Sequence, residues 1–231
     1  RLLFVDASTH DRLPAPSAAL PRIALDGSAG GRAWGDWLAP AGARPQPVAI
    51  APDAPFNIIY SSGTTGTPKG IVQSHGMRWA HIQRGSVYDY GPQGSTLLAT
   101  PLYSNTTLVV FVPTLAYGGC VVLMPKFDAL HYLQLAQQHR ITHTMLVPVQ
   151  YQRIMALPQF GQFDLGAFRY KFCTSAPFRA ELKADVLARW PGGLVEFYGM
   201  TKAAAPASST PTCTPPSCTP WAAPPPPATS A

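Results

Sequence analysis

At 231 residues, 46% hydrophobic and 12% charged, the chain is long enough to bury a core of its own and too apolar to belong to the disordered class. Its formal charge of +6 is the excess of 17 lysines and arginines over 11 aspartates and glutamates, and the basic residues are spread along the sequence with no basic run or aromatic interleaving. That pattern argues against a nucleic-acid partner and suits an anionic small ligand. It begins at Arg1 with no charged start leading into an apolar segment, and no stretch nears the ~18 apolar residues of a membrane span, so a soluble cytoplasmic fragment is expected.

Residues 1–56 are rich in Pro, Ala and Gly, and only "RLLFVD" and "PRIALDG" have the look of short strands. They read as a loop-rich lead-in cut from a larger domain. From 57 to 201 the texture changes. The apolar runs "FNIIYSS", "STLLAT", "CVVLMP", "THTMLVP", "YKFCTS" and "LVEFYG" alternate with stretches of helical spacing. In "DALHYLQLAQQHR", Leu130, Leu133 and Ala136 share a face behind a capping Asp128; in "RAELKADVLARW", Leu182, Val186 and Trp190 do the same. The alternation predicts an α/β fold with a mainly parallel sheet flanked by helices.

Residues 203–231 contain no charged residue, nine prolines, eight alanines and only Trp221 as a large apolar side chain, so 202–231 is expected to be a disordered tail. Cys120 and Cys173 stand singly in apolar stretches, while Cys213 and Cys218 lie in that tail without His or Cys partners at zinc-like spacing. The six histidines show neither metal nor triad spacing. No metal site is predicted.

The stretch "YSSGTTGTPKG", 60–70, carries the most chemistry. Gly63, Gly66 and Gly70 allow tight turns and close backbone approach, Ser61, Ser62, Thr64, Thr65 and Thr67 offer hydroxyl donors, and Lys69 adds a mobile positive charge. Such a loop suits polyphosphate. The strand before it is expected to place it at the carboxyl edge of the sheet. It is not the P-loop of ATPases, which requires Gly-Lys-Ser/Thr, because Lys69 here follows Pro68 and precedes Gly70.

The same stretch closely resembles the phosphate-binding signature of the adenylate-forming superfamily, which includes acyl- and aryl-CoA synthetases, luciferases and peptide-synthetase adenylation domains. Three further segments resemble that family's motifs in its order: "TPLYSNTT" at 100–107, "TSAPF" at 174–178 and "VEFYGMT" at 195–201. The wording of "TPLYSNTT" and "LAYGGCVVLMPKFD" is most similar to bacterial acyl-CoA and coumarate-type ligases. The resemblance implies part of the large N-terminal domain of an enzyme that joins a carboxylic acid, fatty or aryl, to AMP and passes the acyl group to coenzyme A. It implies ATP and CoA as co-substrates and Mg2+ as cofactor.

By that resemblance, Ser61, Ser62, Gly63, Thr64, Thr65, Gly66, Thr67 and Lys69 would hold the phosphates, with Lys69 and Thr201 catalytic. Ala176 and Pro177 would lie against adenine, Tyr198 would stack on the base, and Gly199 would leave room beside it. Tyr103, Asn105 and Thr106 would line the acid pocket, with Ser104 where many relatives carry His, and Val147, Gln150 and Tyr151 serve equally as pocket or core. One position departs. The family turn reads Thr-Glu, its Glu helping to hold magnesium, and here Lys202 follows Thr201. Losing one G from GAA GGC GGC GGC leaves AAG GCG GCG GC, which begins Lys-Ala-Ala-Ala as at 202–205, so the tail reads either as a frame slip or as a genuine low-complexity end. The chain alone is expected to be inactive, since the family's later ribose-binding, hinge and C-terminal elements are not in it.

Overall fold

The structure is a computed structural model that describes residues 2–14, 20–61, 68–198 and 208–212. It divides into two compact units, residues 1–49 and 50–231. In the first, β1 (Leu3–Val5), β2 (Arg22–Ala24) and β3 (Arg32–Ala33) form a small parallel sheet that continues into the single turn α1 (Trp34–Trp37). Val5, Ile23 and Ala24 are its buried apolar side chains, and Phe4 meets Trp34 and Trp37 edge-on.

The second unit opens with β4 (Pro55–Ser61) and β5 (Lys69–Ser74), an antiparallel ribbon, followed by α2 (His75–Gly85). Next come β6 (Ser95–Leu98), α3 (Asn105–Ala116), β7 (Cys120–Leu123), α4 (Ala129–Gln138), β8 (His143–Leu146), α5 (Pro148–Met155), β9 (Tyr170–Cys173), α6 (Ala180–Arg189), β10 (Gly193–Tyr198) and β11 (Ser208–Thr212). The sheet order is β11-β10-β9-β8-β6-β7, parallel from β10 to β7, with β11 antiparallel at the edge. A mainly parallel sheet flanked by helices is therefore what these residues form.

Register explains the two-sided core. Leu98, Met145, Phe172 and Val195 are paired neighbours across β6, β8, β9 and β10 and pack with Val110 of α3 on one face. On the other face, Leu97, Leu146, Cys173 and Leu194 meet Leu133 of α4, Tyr151 and Ile154 of α5, and Val186 of α6. The inner parallel strands β6, β8, β9 and β10 place core residues on both faces, which is why their sequences read as largely apolar runs, whereas edge strand β7 is partly exposed. Asp128 caps α4 by accepting from the His131 N–H at 2.8 Å.

Lys171 is the exception within the core. Fully buried on β9, it donates to the carbonyls of Trp190, Pro191 and Gly192 at 3.1, 2.6 and 2.6 Å, tying down the turn between α6 and β10. Gly192 in that turn has φ +88°, and a Cβ there would lie 2.5 Å from the Phe168 carbonyl oxygen, so no larger residue fits.

Two expectations differ from the structure. The run "FNIIYSS" does form β4, but β4 pairs with β5 rather than joining the parallel sheet, so the Gly/Ser/Thr loop closes an antiparallel ribbon. The cause is "KGIVQS", which supplies a second strand immediately after the loop and leaves no room for a crossover helix. In the tail, Ser208–Thr212 lie along β10 as an edge strand, pairing Thr212 with Leu194 and Ser208 with Tyr198.

Candidate functional site

The chain order of the parallel strands sets where a ligand can enter. From β6 the connection through α3 runs outward to β7, and from β8 the connection through α5 runs the opposite way to β9. The order therefore reverses between β6 and β8, and such a switch point opens a crevice at the carboxyl ends of the strands. Four sequence-singled segments lie at carboxyl ends there: 100–107 after β6, Val147 to Tyr151 after β8, 174–178 after β9, and Tyr198 ending β10.

A run of side chains links these strand ends. Thr100 and Thr107 pair their hydroxyls at 2.6 Å, and Thr107 also donates to the Pro101 carbonyl. Ser104 caps α3 by accepting from the Thr106 N–H at 3.3 Å. The Thr106 hydroxyl then meets that of Ser175 at 3.0 Å, and Thr174 donates to the Phe197 carbonyl at 2.9 Å. The first turn of α3, the loop after β9 and the end of β10 are joined in this way. Ser175 sits at φ 78°, a conformation non-glycine residues rarely adopt, directly before Ala176 and Pro177, both exposed.

The ribbon is tied to the same helix by Arg78 of α2. Its Nε and Nη2 donate to Asn57 on β4 at 3.3 and 3.2 Å, Nη2 also to Gln73 on β5, and Nη1 to Asn105 at the start of α3 at 3.0 Å. Nη1 also meets Nδ1 of His81 at 3.3 Å. All four partners are neutral. Burial pushes the guanidinium down to about 10, still charged at neutral pH. Burial, then Arg78 and Arg84, push His81 down to about 4, so its ring is neutral and its Nδ1 accepts.

Of the residues singled out in the sequence, Asn105 and Thr106 are thus brought against the ribbon network and Ser175 respectively. Tyr103 is 81% exposed beside them. Lys69 heads β5, exposed, and Ser61 ends β4. Gln150 and Tyr151 are positioning groups of the core: Gln150 accepts from the Val147 N–H and donates to the Ala99 carbonyl, and Tyr151 donates to the Phe172 carbonyl. Ser62, Gly63, Thr64, Thr65, Gly66, Thr67, Gly199, Thr201 and Lys202 lie outside the described residues, as does the ring of Tyr198. Among the described residues no group of three His, Cys, Asp or Glu side chains could hold a metal, and no helix is long and apolar enough to cross a membrane.

The profile of the AMP-binding enzyme family matches residues 5–230. The chain belongs to that family. It is 37% identical over 163 residues to feruloyl-CoA synthase of Amycolatopsis sp, covering 66% of this chain and 33% of that protein. To indoleacetate–CoA ligase of Aromatoleum aromaticum it is 34% identical over 164 residues, covering 68% and 31%. Among solved structures, amide bond synthetase McbA from Marinactinospora thermotolerans superposes with a TM-score of 0.76 at 25% identity, over 90% of this chain and 42% of that one. The N-terminal domain of FACL13 from Mycobacterium tuberculosis gives 0.68 at 22% identity, over 86% and 50%. This member of the AMP-binding family thus spans about a third of the length of the curated relatives it matches.

Family membership accounts for the motifs, but Arg78 and its partners Asn57, Gln73 and His81 were missed in the sequence, and Asn105 was singled out only as a pocket residue. Asn57, Gln73, Arg78 and Asn105 are spread over four elements with no periodicity to connect them. The one available signal was an arginine inside a helix with no acidic neighbour.

Proposed function

We propose that the chain is the nucleotide- and acid-binding part of an ATP-dependent, AMP-forming acid–CoA ligase acting on a fatty or aryl carboxylic acid. The observation that carries this reading is the bond network joining the ribbon that bears the Gly/Ser/Thr loop to the strand ends after β6, β9 and β10. The loop and the strand-end motifs belong, in this reading, to one site.

In this reading the acid's carboxylate oxygen attacks the α-phosphorus of ATP, and the bond from that phosphorus to pyrophosphate breaks. The CoA sulfur next attacks the acyl carbon and AMP leaves. Ser61, Ser62, Thr64, Thr65 and Thr67 hold the phosphate oxygens, and Lys69 neutralises the charge that grows on departing pyrophosphate. Ala176, Pro177, Tyr198 and Gly199 frame the base, Thr201 reaches the α-phosphate, and Tyr103, Asn105 and Thr106 face the acid. The donor set does not fit magnesium. Lys202 stands beside Thr201 where an anion would be needed, so no step is assigned to the metal.

Lys202 favours a second reading, a nucleotide-binding chain without turnover. Acid-dependent exchange of radiolabelled pyrophosphate into ATP, and thioester formation with CoA, separate the two. The chain as written is expected to bind ATP with little or no exchange, because it spans only about a third of the length of the ligases it matches. Exchange at the rate of an intact ligase would overturn that.

A further inference from the structure

The edge strand β11 is made of Ser208, Ser209, Thr210, Pro211 and Thr212, and it pairs with a strand whose Leu194 and Val195 are both core residues. A strand whose one apolar residue is Pro211, set opposite Val195, is an odd partner for such a neighbour. The oddity extends through the tail and follows the genetic code. Every residue from Ala203 to Ala231 is Ala, Pro, Ser, Thr, Cys or Trp, and all six are encoded with C or G as the second base. In residues 1–201 about half the amino acids require A or U there, and the longest stretch without one is nine residues, 27–35.

We infer that residues 202–231 are translated one base out of register, through loss of one base, or gain of two, at or just before codon 202. In a GC-rich gene the third codon base is the most freely chosen and is nearly always C or G. After loss of one base, that third base becomes the second base of each new codon, which produces the observed restriction. Gain of one base would instead move the old first base into that place. Codons for Ile, Met, Phe, Tyr, Asn and Lys all begin with A or U, and these six together make up 38 of residues 1–201, so that direction would not give the pattern. The direction of the slip is therefore readable from the protein.

A natural low-complexity linker also uses Pro, Ala, Ser and Thr, but it is enriched in Gly, Glu, Gln and Lys and poor in aromatics. Residues 203–231 have none of those four, and they contain Cys213, Cys218 and Trp221. Those three are what displaced reading of ordinary codons yields.

The displaced frame has properties independent of codon choice. One base added before Lys202 makes its codon Glu, Gln or Lys, followed by Gly or Ser. The codons formed across 212/213, 217/218 and 220/221 must read Leu, Met or Val, those across 213/214 and 218/219 must read His or Tyr, and 221/222 must read Gly. The written tail has no aliphatic residue larger than proline; the displaced one regains at least three larger aliphatic side chains. This inference does not rest on the proposed activity. It removes Lys202 as an obstacle to that activity.

The test is to sequence the source DNA across codons 190–231 and translate it from codon 202 in the frame displaced by one base. The expected result is an open frame whose translation from codon 202 onward aligns with the feruloyl-CoA synthase and indoleacetate–CoA ligase sequences. A stop codon in that frame before codon 231, or a translation unrelated to those relatives, would overturn the inference.

Discussion

Across the parallel sheet Leu98, Met145, Phe172 and Val195 stand in register and buried, whereas on the β4–β5 ribbon Ile58, Tyr60 and Val72 are each more than half exposed. The sheet is held by apolar burial on two faces. Around Arg78, the ribbon is held to α2 and α3 by hydrogen bonds among side chains from four elements. The difference separates stability from positioning: the sheet keeps the second unit folded, and the polar network sets where the ribbon stands relative to the start of α3. Changes in the two regions should therefore have different signatures.

The largest effect is expected in the sheet. Phe172→Ala removes a ring that stacks on Phe197 at 5.3 Å and meets Tyr88 edge-on at 5.0 Å. It should cost about 3–5 kcal/mol of stability, read as a lowered denaturant midpoint for the whole second unit. A loss confined to β10 would break the picture of one shared core.

A smaller and more local effect is expected at Arg78. Arg78→Met leaves the acceptors of Asn57, Gln73 and Asn105 without their common donor, at a cost of about 1–3 kcal/mol. Amide exchange should quicken in β4 and β5 while β8 and β9 keep their protection. Equal quickening in all four strands would mean that the ribbon and the sheet are one cooperative unit.

The smallest effect is a pH dependence at the same junction. His81 is neutral in the fold down to about pH 4, whereas its unfolded ring takes up a proton near pH 6.5. Between those values the unfolded state binds more protons, so stability is full above pH 6.5 and is lost as pH falls toward 4. His81→Gln should flatten that part of the stability curve. An unchanged slope would place the acid sensitivity elsewhere, with buried His143 the next group to test.

The inner parallel strands were legible because they are buried on both faces and so leave largely apolar runs, and α4 was legible down to its Asp128 cap. β5 was not, because "KGIVQS" begins with Lys69 and Gly70 and carries Gln73, whose role is the polar network rather than the core. The site was legible where local wording carries it, as in 100–107 and 174–178. It was illegible where it depends on contacts between distant residues, such as Thr106 with Ser175 or Arg78 with Asn57 and Asn105. Ser175 gave no sign of its positive φ, since nothing in "TSAPF" demands a left-handed residue.

The most direct test of the account is titration of the purified chain with ATP by calorimetry, alongside Lys69→Ala and Lys69→Arg. The account predicts binding by the unaltered chain, its loss in Lys69→Ala and its partial retention in Lys69→Arg, with all three proteins equally stable because Lys69 is exposed. ATP affinity unchanged in Lys69→Ala would contradict the assignment of the ribbon loop as the phosphate site.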